Sequence, residues 1–135
     1  LEKKPYAWGD ELKPGGKFMA NTFQGHFPDK DTKEDGHERA APVASYPPNP
    51  YGLYDMAGNA WEWVNDWYAE RYFEEAPEKN PPSPDHGVFR VLRGGGYATT
   101  GADIRITSRS KMVADFRDET IGFRCASSAA KLEKG

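Results

Sequence analysis

Glycine or proline interrupts this chain so often that no long helix or strand can run through it. There are 14 glycines and 11 prolines, spread along 135 residues rather than gathered in one linker. Glycine supplies turns with positive φ, and proline stops helices and ladders. Such a chain folds as short elements joined by long loops, and long loops in a compact domain need something to hold them. An internal disulfide is excluded, because Cys125 is the single cysteine. Bound metal ions or a partner surface remain as candidates. The composition is still that of a globular domain. Aromatic residues make up 13% of the chain, enough for a few large rings to supply much of a small core.

Charge excludes several classes of function. The formal net charge is −3, and no segment concentrates lysine and arginine, so nucleic acid is not an expected partner. No apolar run is long enough to span a bilayer. A CxxC zinc or redox site is impossible, and His26, His37 and His86 lack the spacing of a histidine metal site.

Local patterns set the expected elements. Trp61-Glu62-Trp63-Val64 alternates with period two and predicts a strand with both indoles on one face, in the core rather than in a ligand groove. Residues 65–76 allow a short helix, and the prolines of 77–88 impose a loop. Phe89 to Leu92 predicts a strand stopped by Gly94-Gly95-Gly96, and Ile104-Arg105-Ile106-Thr107 predicts another. Ile121 to Cys125 alternates again, which turns Ile121, Phe123 and Cys125 inward and makes Cys125 a buried apolar thiol. Residues 127–135 read as a polar tail. The fold class is therefore α+β, with short antiparallel strands, long loops and little regular secondary structure.

Two loops combine carboxylates with glycine. One runs from Asn21 to His37 and offers side-chain oxygens at Asn21 and Asp35. The other sets Asp55 and Glu62 around the Gly58-Asn59 turn. Calcium takes about six to eight oxygens, mixing carboxylates with backbone carbonyls that a glycine turn frees from pairing. A solvated acidic turn is the competing reading, and the carboxylates are too sparse for an EF-hand.

The block Tyr51-Gly52-Leu53-Tyr54-Asp55-Met56-Ala57-Gly58-Asn59-Ala60-Trp61-Glu62-Trp63 resembles the hallmark of the formylglycine-generating enzyme (sulfatase-modifying factor) family. Pro5-Tyr6-Ala7-Trp8-Gly9-Asp10, Asn21-Thr22-Phe23-Gln24-Gly25, Glu34-Asp35-Gly36, Arg90 to Gly95 and Gly122-Phe123-Arg124-Cys125-Ala126 follow in the family's order. The resemblance implies a C-type-lectin-like fold and identifies residues 1–126 with the C-terminal portion of the family's domain. It also implies two calcium sites. In the first, Asn21 and Asp35 match side-chain ligands, with Thr22 and His37 at backbone-carbonyl positions. In the second, Asp55 and Glu62 match side-chain ligands, with Gly58 and Ala60 as carbonyls.

The chain departs from the family at the active site. Members that oxidise a sulfatase cysteine bind copper(I) through two cysteines shortly after the Gly-Gly motif, and soft thiolates suit that ion. Here Thr99 stands at the first position, and no cysteine follows before Cys125, so no copper is expected. The stretch Gly94 to Arg109 is also similar to the C-terminal domain of ergothioneine-synthase-type iron sulfoxide synthases, whose iron sits on histidines of a separate N-terminal domain. That similarity makes Tyr97, Thr99, Arg105 and Arg109 a candidate ligand pocket, with the arginines as carboxylate clamps. Surface ion pairs from those arginines to Asp103, Asp115 or Asp118 are the competing reading.

The leading expectation is a non-catalytic, calcium-stabilised binding or accessory module. Its expected partner is the N-terminal half of the domain, as a cleaved fragment or a separate chain. An enzyme fragment completed by that missing part is the alternative, and a C-type-lectin-like binding protein displaying the loop from Tyr97 to Asp103 is a third. Weak calcium sites suit an extracytoplasmic compartment.

Overall fold

The computed structural model describes residues 3–127. The proposed tail lies almost wholly outside the described residues. Beside a 3-10 turn at Pro14–Gly16, the regular elements among the described residues are few and short: β1 (Gly25–His26), β2 (Lys30–Asp31), β3 (Trp61–Trp67), α1 (Tyr72–Glu75), β4 (Phe89–Arg93), β5 (Ser110–Val113) and β6 (Ile121–Gly122). β1 and β2 form a small hairpin, and the other strands form a sheet ordered β5-β4-β3-β6.

The alternating block forms β3 at the centre of that sheet. It pairs antiparallel with β4, which sets Glu62 opposite Arg93 and Trp63 opposite Leu92, and the register shifts before Trp67 meets Arg90. On its other side β3 pairs with β6, and that pairing is parallel, with Glu62 beside Gly122. The sheet is therefore mixed and not purely antiparallel. Val91 and Leu92 on β4 are buried.

Three local expectations are corrected. Residues 104–107 form turns, and the strand lies further on, at Ser110–Val113. Ile104 and Ile106 do not share a face: Ile104 is 2% exposed and Ile106 is 37% exposed. Ile104 packs with Tyr6, Ala20 and Ala57, flanked by Trp8 and Leu12, in a core built of loop residues beside the sheet. Second, the closing strand ends at Gly122, so Phe123 and Cys125 are exposed and not turned inward. Third, the helix allowed over 65–76 is confined to Tyr72–Glu75, because β3 continues to Trp67.

Backbone bonds between loops carry much of the architecture. Asn59 N–H donates to Asn21 O, Gly58 N–H to Gly94 O, Tyr97 N–H to Asn59 O and Phe23 N–H to Thr99 O, all at 2.8–2.9 Å. The segments around 21, 59 and 97 are thereby laced together. Gly58 makes this possible. It has φ of 73°, and a Cβ there would overlap the Asn21 carbonyl oxygen. Buried polar groups must find partners, and these loops meet that demand with one another.

Candidate functional site

The first calcium candidate is built where the segment after Ala20 meets the acidic loop. Asn21, Thr22 and Gln24 are buried polar residues, at 1%, 6% and 8% exposure. Asp35 faces them. Its Oδ2 accepts from Thr22 N–H and Gln24 Nε2, both at 2.9 Å, and its Oδ1 accepts from His37 N–H at 3.1 Å. Gln24 Oε1 accepts from Asp35 N–H in return, and Gln24 Nε2 also donates to the Thr22 carbonyl. The structure thus brings Thr22, Asp35 and His37 together. The Asn21 side chain is directed elsewhere, donating to Arg39 O at 2.8 Å and to Asn59 Oδ1 at 3.1 Å. The His37 ring lies edge-on to Tyr46. The Tyr46 hydroxyl donates to Asp35 O, and burial, then the nearby Asp35 and Asp55 charges, push its phenol up to about 12.

The second candidate is gathered more closely. Asp55, Gly58, Ala60 and Glu62 all line one cleft of about 560 Å3. Arg124 enters it because Gly122 pairs with Glu62, and the residue two places on reaches the same carboxylate. Its Nε lies 2.9 and 2.7 Å from the two Glu62 oxygens. Its remaining nitrogens donate to the carbonyls of Tyr54 and Asp55, each at 2.9 Å. The Glu62 hydrogen bonds raise the Arg124 pKa against the opposing effect of burial. A carboxylate and two carbonyls therefore converge on a positive group. Oxygen donors of this kind suit a hard cation, but here they hold a guanidinium, and the Asp55 carboxylate accepts from Ala44 N–H at 2.8 Å, so the fit to calcium is partial. At the first site the fit is partial for the same reason, since N–H donors occupy the Asp35 carboxylate.

Three residues that matter here were missed by pattern reading: Gln24, Asn59 and Arg124. Asn59 Oδ1 accepts from Ala41 N–H at 2.7 Å as well as from Asn21, so one side chain ties three loops. Its Gly-Asn context signals a left-handed turn, and φ is 66°. No local signal reveals what its amide would bind. The available signal for Arg124 was its two-residue offset from Gly122.

The candidate ligand pocket is not assembled. Thr99 Oγ1 accepts from Gly96 N–H at 3.0 Å and donates to Gly96 O at 2.8 Å, closing a turn. Tyr97 lies beside Arg39 and Glu119, where burial first and then the Glu119 charge push its phenol up. Arg105 lines one recess and Arg109 another. Neither arginine makes an ion pair with Asp103, Asp115 or Asp118 among the described residues. Arg109 instead lies over the rings of Phe73 and Tyr68, 4.2 and 5.2 Å from their centroids.

The sequence profile of the sulfatase-modifying factor enzyme 1-like domain matches residues 1–129. The chain belongs to that family. It is 46% identical over 132 residues to the formylglycine-generating enzyme of Streptomyces coelicolor, covering 96% of this chain and 42% of that protein. It is 36% identical over 137 residues to the mouse protein named inactive C-alpha-formylglycine-generating enzyme 2, covering 97% of this chain and 39% of that one. Among solved structures, PvdO from Pseudomonas aeruginosa superposes with a TM-score of 0.67 at 26% identity, over 88% of this chain and 42% of that one. Treponema denticola variable protein 1 gives 0.63 at 30% identity, over 78% of this chain and 34% of that one. These neighbours share the family's α+β fold of small sheets and long loops. The chain spans about two-fifths of the length of these curated relatives.

Proposed function

We propose that this sulfatase-modifying-factor-like chain is a non-catalytic module, stabilised by calcium, that serves as a binding or accessory subunit in an extracytoplasmic compartment. The observation that carries the reading is Thr99. It stands where the family resemblance implies the first copper-binding cysteine, its hydroxyl is engaged by Gly96, and Cys125 is the sole cysteine. A hydroxyl is a hard donor and does not replace a thiolate toward copper(I). The 36% identity to a relative named inactive supports the same reading.

Calcium would be held at the second site by Asp55, Glu62 and the carbonyls of Gly58 and Ala60. At the first site it would be held by Asn21, Asp35 and the carbonyls of Thr22 and His37. The ion's chemistry there is charge neutralisation and crosslinking of loops. Glu62 must share or release Arg124 to bind it, and Gln24 must yield at Asp35.

A second reading is favoured by the 46% identity to the Streptomyces formylglycine-generating enzyme. In it the chain belongs to an enzyme whose remaining catalytic residues, and the N-terminal half that packs on this one, lie outside these residues. A Cys-x-Pro-x-Arg peptide offered to this chain together with the N-terminal half of the domain separates the two. The module leaves its cysteine unchanged, whereas conversion to formylglycine sinks the non-catalytic reading. The calcium part is checked by melting in excess chelator and in calcium. The expected result is a rise in Tm with calcium that Glu62→Gln reduces, and an unchanged Tm in the parent protein would remove calcium from the proposal.

A further inference from the structure

β4 and β5 pair so that Val91 faces Lys111 and Leu92 faces Ser110. The ladder ends there, and Arg93 and Arg109, which flank its end, line the same cleft. Like charges brought this near one another repel. Neither arginine is in an ion pair among the described residues. Glu62 faces Arg93 from β3, but its carboxylate is taken up by Arg124. Asp66 is the other acid near Arg93, and it offsets part of the excess; burial first, and then the Arg109 charge, lower the Arg93 pKa.

Both arginines line a cleft of about 240 Å3, with Val64 and Val91 among its apolar residues, Phe73 and Trp67 among its rings, and Asp66 as its one acid. Both guanidinium groups are held in place. Arg93 donates to Ser108 O at 2.7 Å and to Ile106 O, which leaves most of its N–H donors available. Arg109 is stacked on Phe73. The arrangement is a preformed pair of positive forks beside an apolar, aromatic-walled recess, in a position where an anion relieves repulsion that the protein leaves in place.

We propose that this cleft binds a carboxylate with an apolar body, the carboxylate between Arg93 and Arg109 and the body against Phe73. The cleft shares no lining residue with the proposed calcium sites. The carboxylate can come from a free small acid or from the C-terminus of a peptide. The two sources share the chemistry and differ in size.

The test uses the intact protein and phenylacetate as probe, followed by ligand-observed NMR. Its neutral isostere phenylacetamide is the control. Phenylacetate should bind at least about tenfold more tightly than the amide, and the preference should shrink with added salt. Arg109→Gln should abolish the preference, and Arg117→Gln, an exposed charge elsewhere, should leave it intact. Phe73→Ala, at a side chain 67% exposed, weakens the acid and the amide together and guards against a folding defect in the arginine variant. A peptide ending in a free phenylalanine carboxylate, set against its C-terminal amide, then separates the sources. Tighter binding than phenylacetate assigns a peptide terminus, and weaker binding assigns a small acid. Equal affinity for phenylacetate and phenylacetamide, or an Arg109→Gln variant that keeps the preference, overturns the proposal.

Discussion

Gly58 is where the architecture is least tolerant of one added methyl group. Its φ of 73° is left-handed, and an alanine Cβ there would overlap the Asn21 carbonyl oxygen and come within 3.0 Å of the Ala20 Cβ. The left-handed backbone alone costs an L-residue roughly 1–2 kcal/mol. Overlap with backbone, which cannot swing aside as a flexible side chain can, adds roughly 1–3 kcal/mol. Gly58→Ala should therefore destabilise by about 2–5 kcal/mol. Gly52→Ala is the control, because Gly52 has φ of 77° but nothing within 4 Å of the added Cβ. It should cost only the backbone part, about 1–2 kcal/mol. Urea unfolding followed by tryptophan fluorescence reads the difference. With m of roughly 2 kcal/mol/M, a 3 kcal/mol loss lowers the midpoint by about 1.5 M. Gly58→Ala should also loosen the Asn59 N–H to Asn21 O bond, which amide hydrogen exchange reports. Equal midpoints for the two variants would refute the claim that close approach to Asn21, rather than φ, is what requires glycine.

Two further outcomes are expected. Tyr46, raised to about 12, is held protonated by the fold. Its contribution to stability is complete below the unfolded value of about 10 and is lost as pH rises through about 12, so Tyr46→Phe should flatten the alkaline limb of the stability curve. An ultraviolet difference titration that puts the Tyr46 step near 10 contradicts this. Cys125 is exposed. It should react with Ellman's reagent in the folded protein at close to the rate seen in denaturant, and strong protection would return it to the interior.

The strand at Trp61 and its neighbour at Phe89 could be read directly, because aromatic and β-branched alternation is a property of the local chain. The Ile104 to Thr107 alternation misled for a physical reason. Four residues of alternation can be satisfied by a turn in which the first residue fills a core and the third remains partly exposed. The Ile121 to Cys125 pattern failed similarly, since the pairing ends at Gly122. The carboxylates of both candidate loops were visible as residue types in glycine-bearing segments. Their partners were not: Gln24, Asn59 and Arg124 act across the fold, and Arg124 meets Glu62 over a separation of 62 residues.

The sequence by itself determined that this chain would be loop-rich, free of disulfides and centred on the Trp61 strand, because glycine, proline, cysteine count and alternation act locally. Its motifs also settled membership of the family, through residue types in order. Tertiary structure alone decided the parallel pairing of β6 with β3, the lacing of the Asn21, Asn59 and Tyr97 segments, and the meeting of Arg93 with Arg109. Each of these depends on which distant strand or turn comes alongside, and that is a property of the packed chain as a whole.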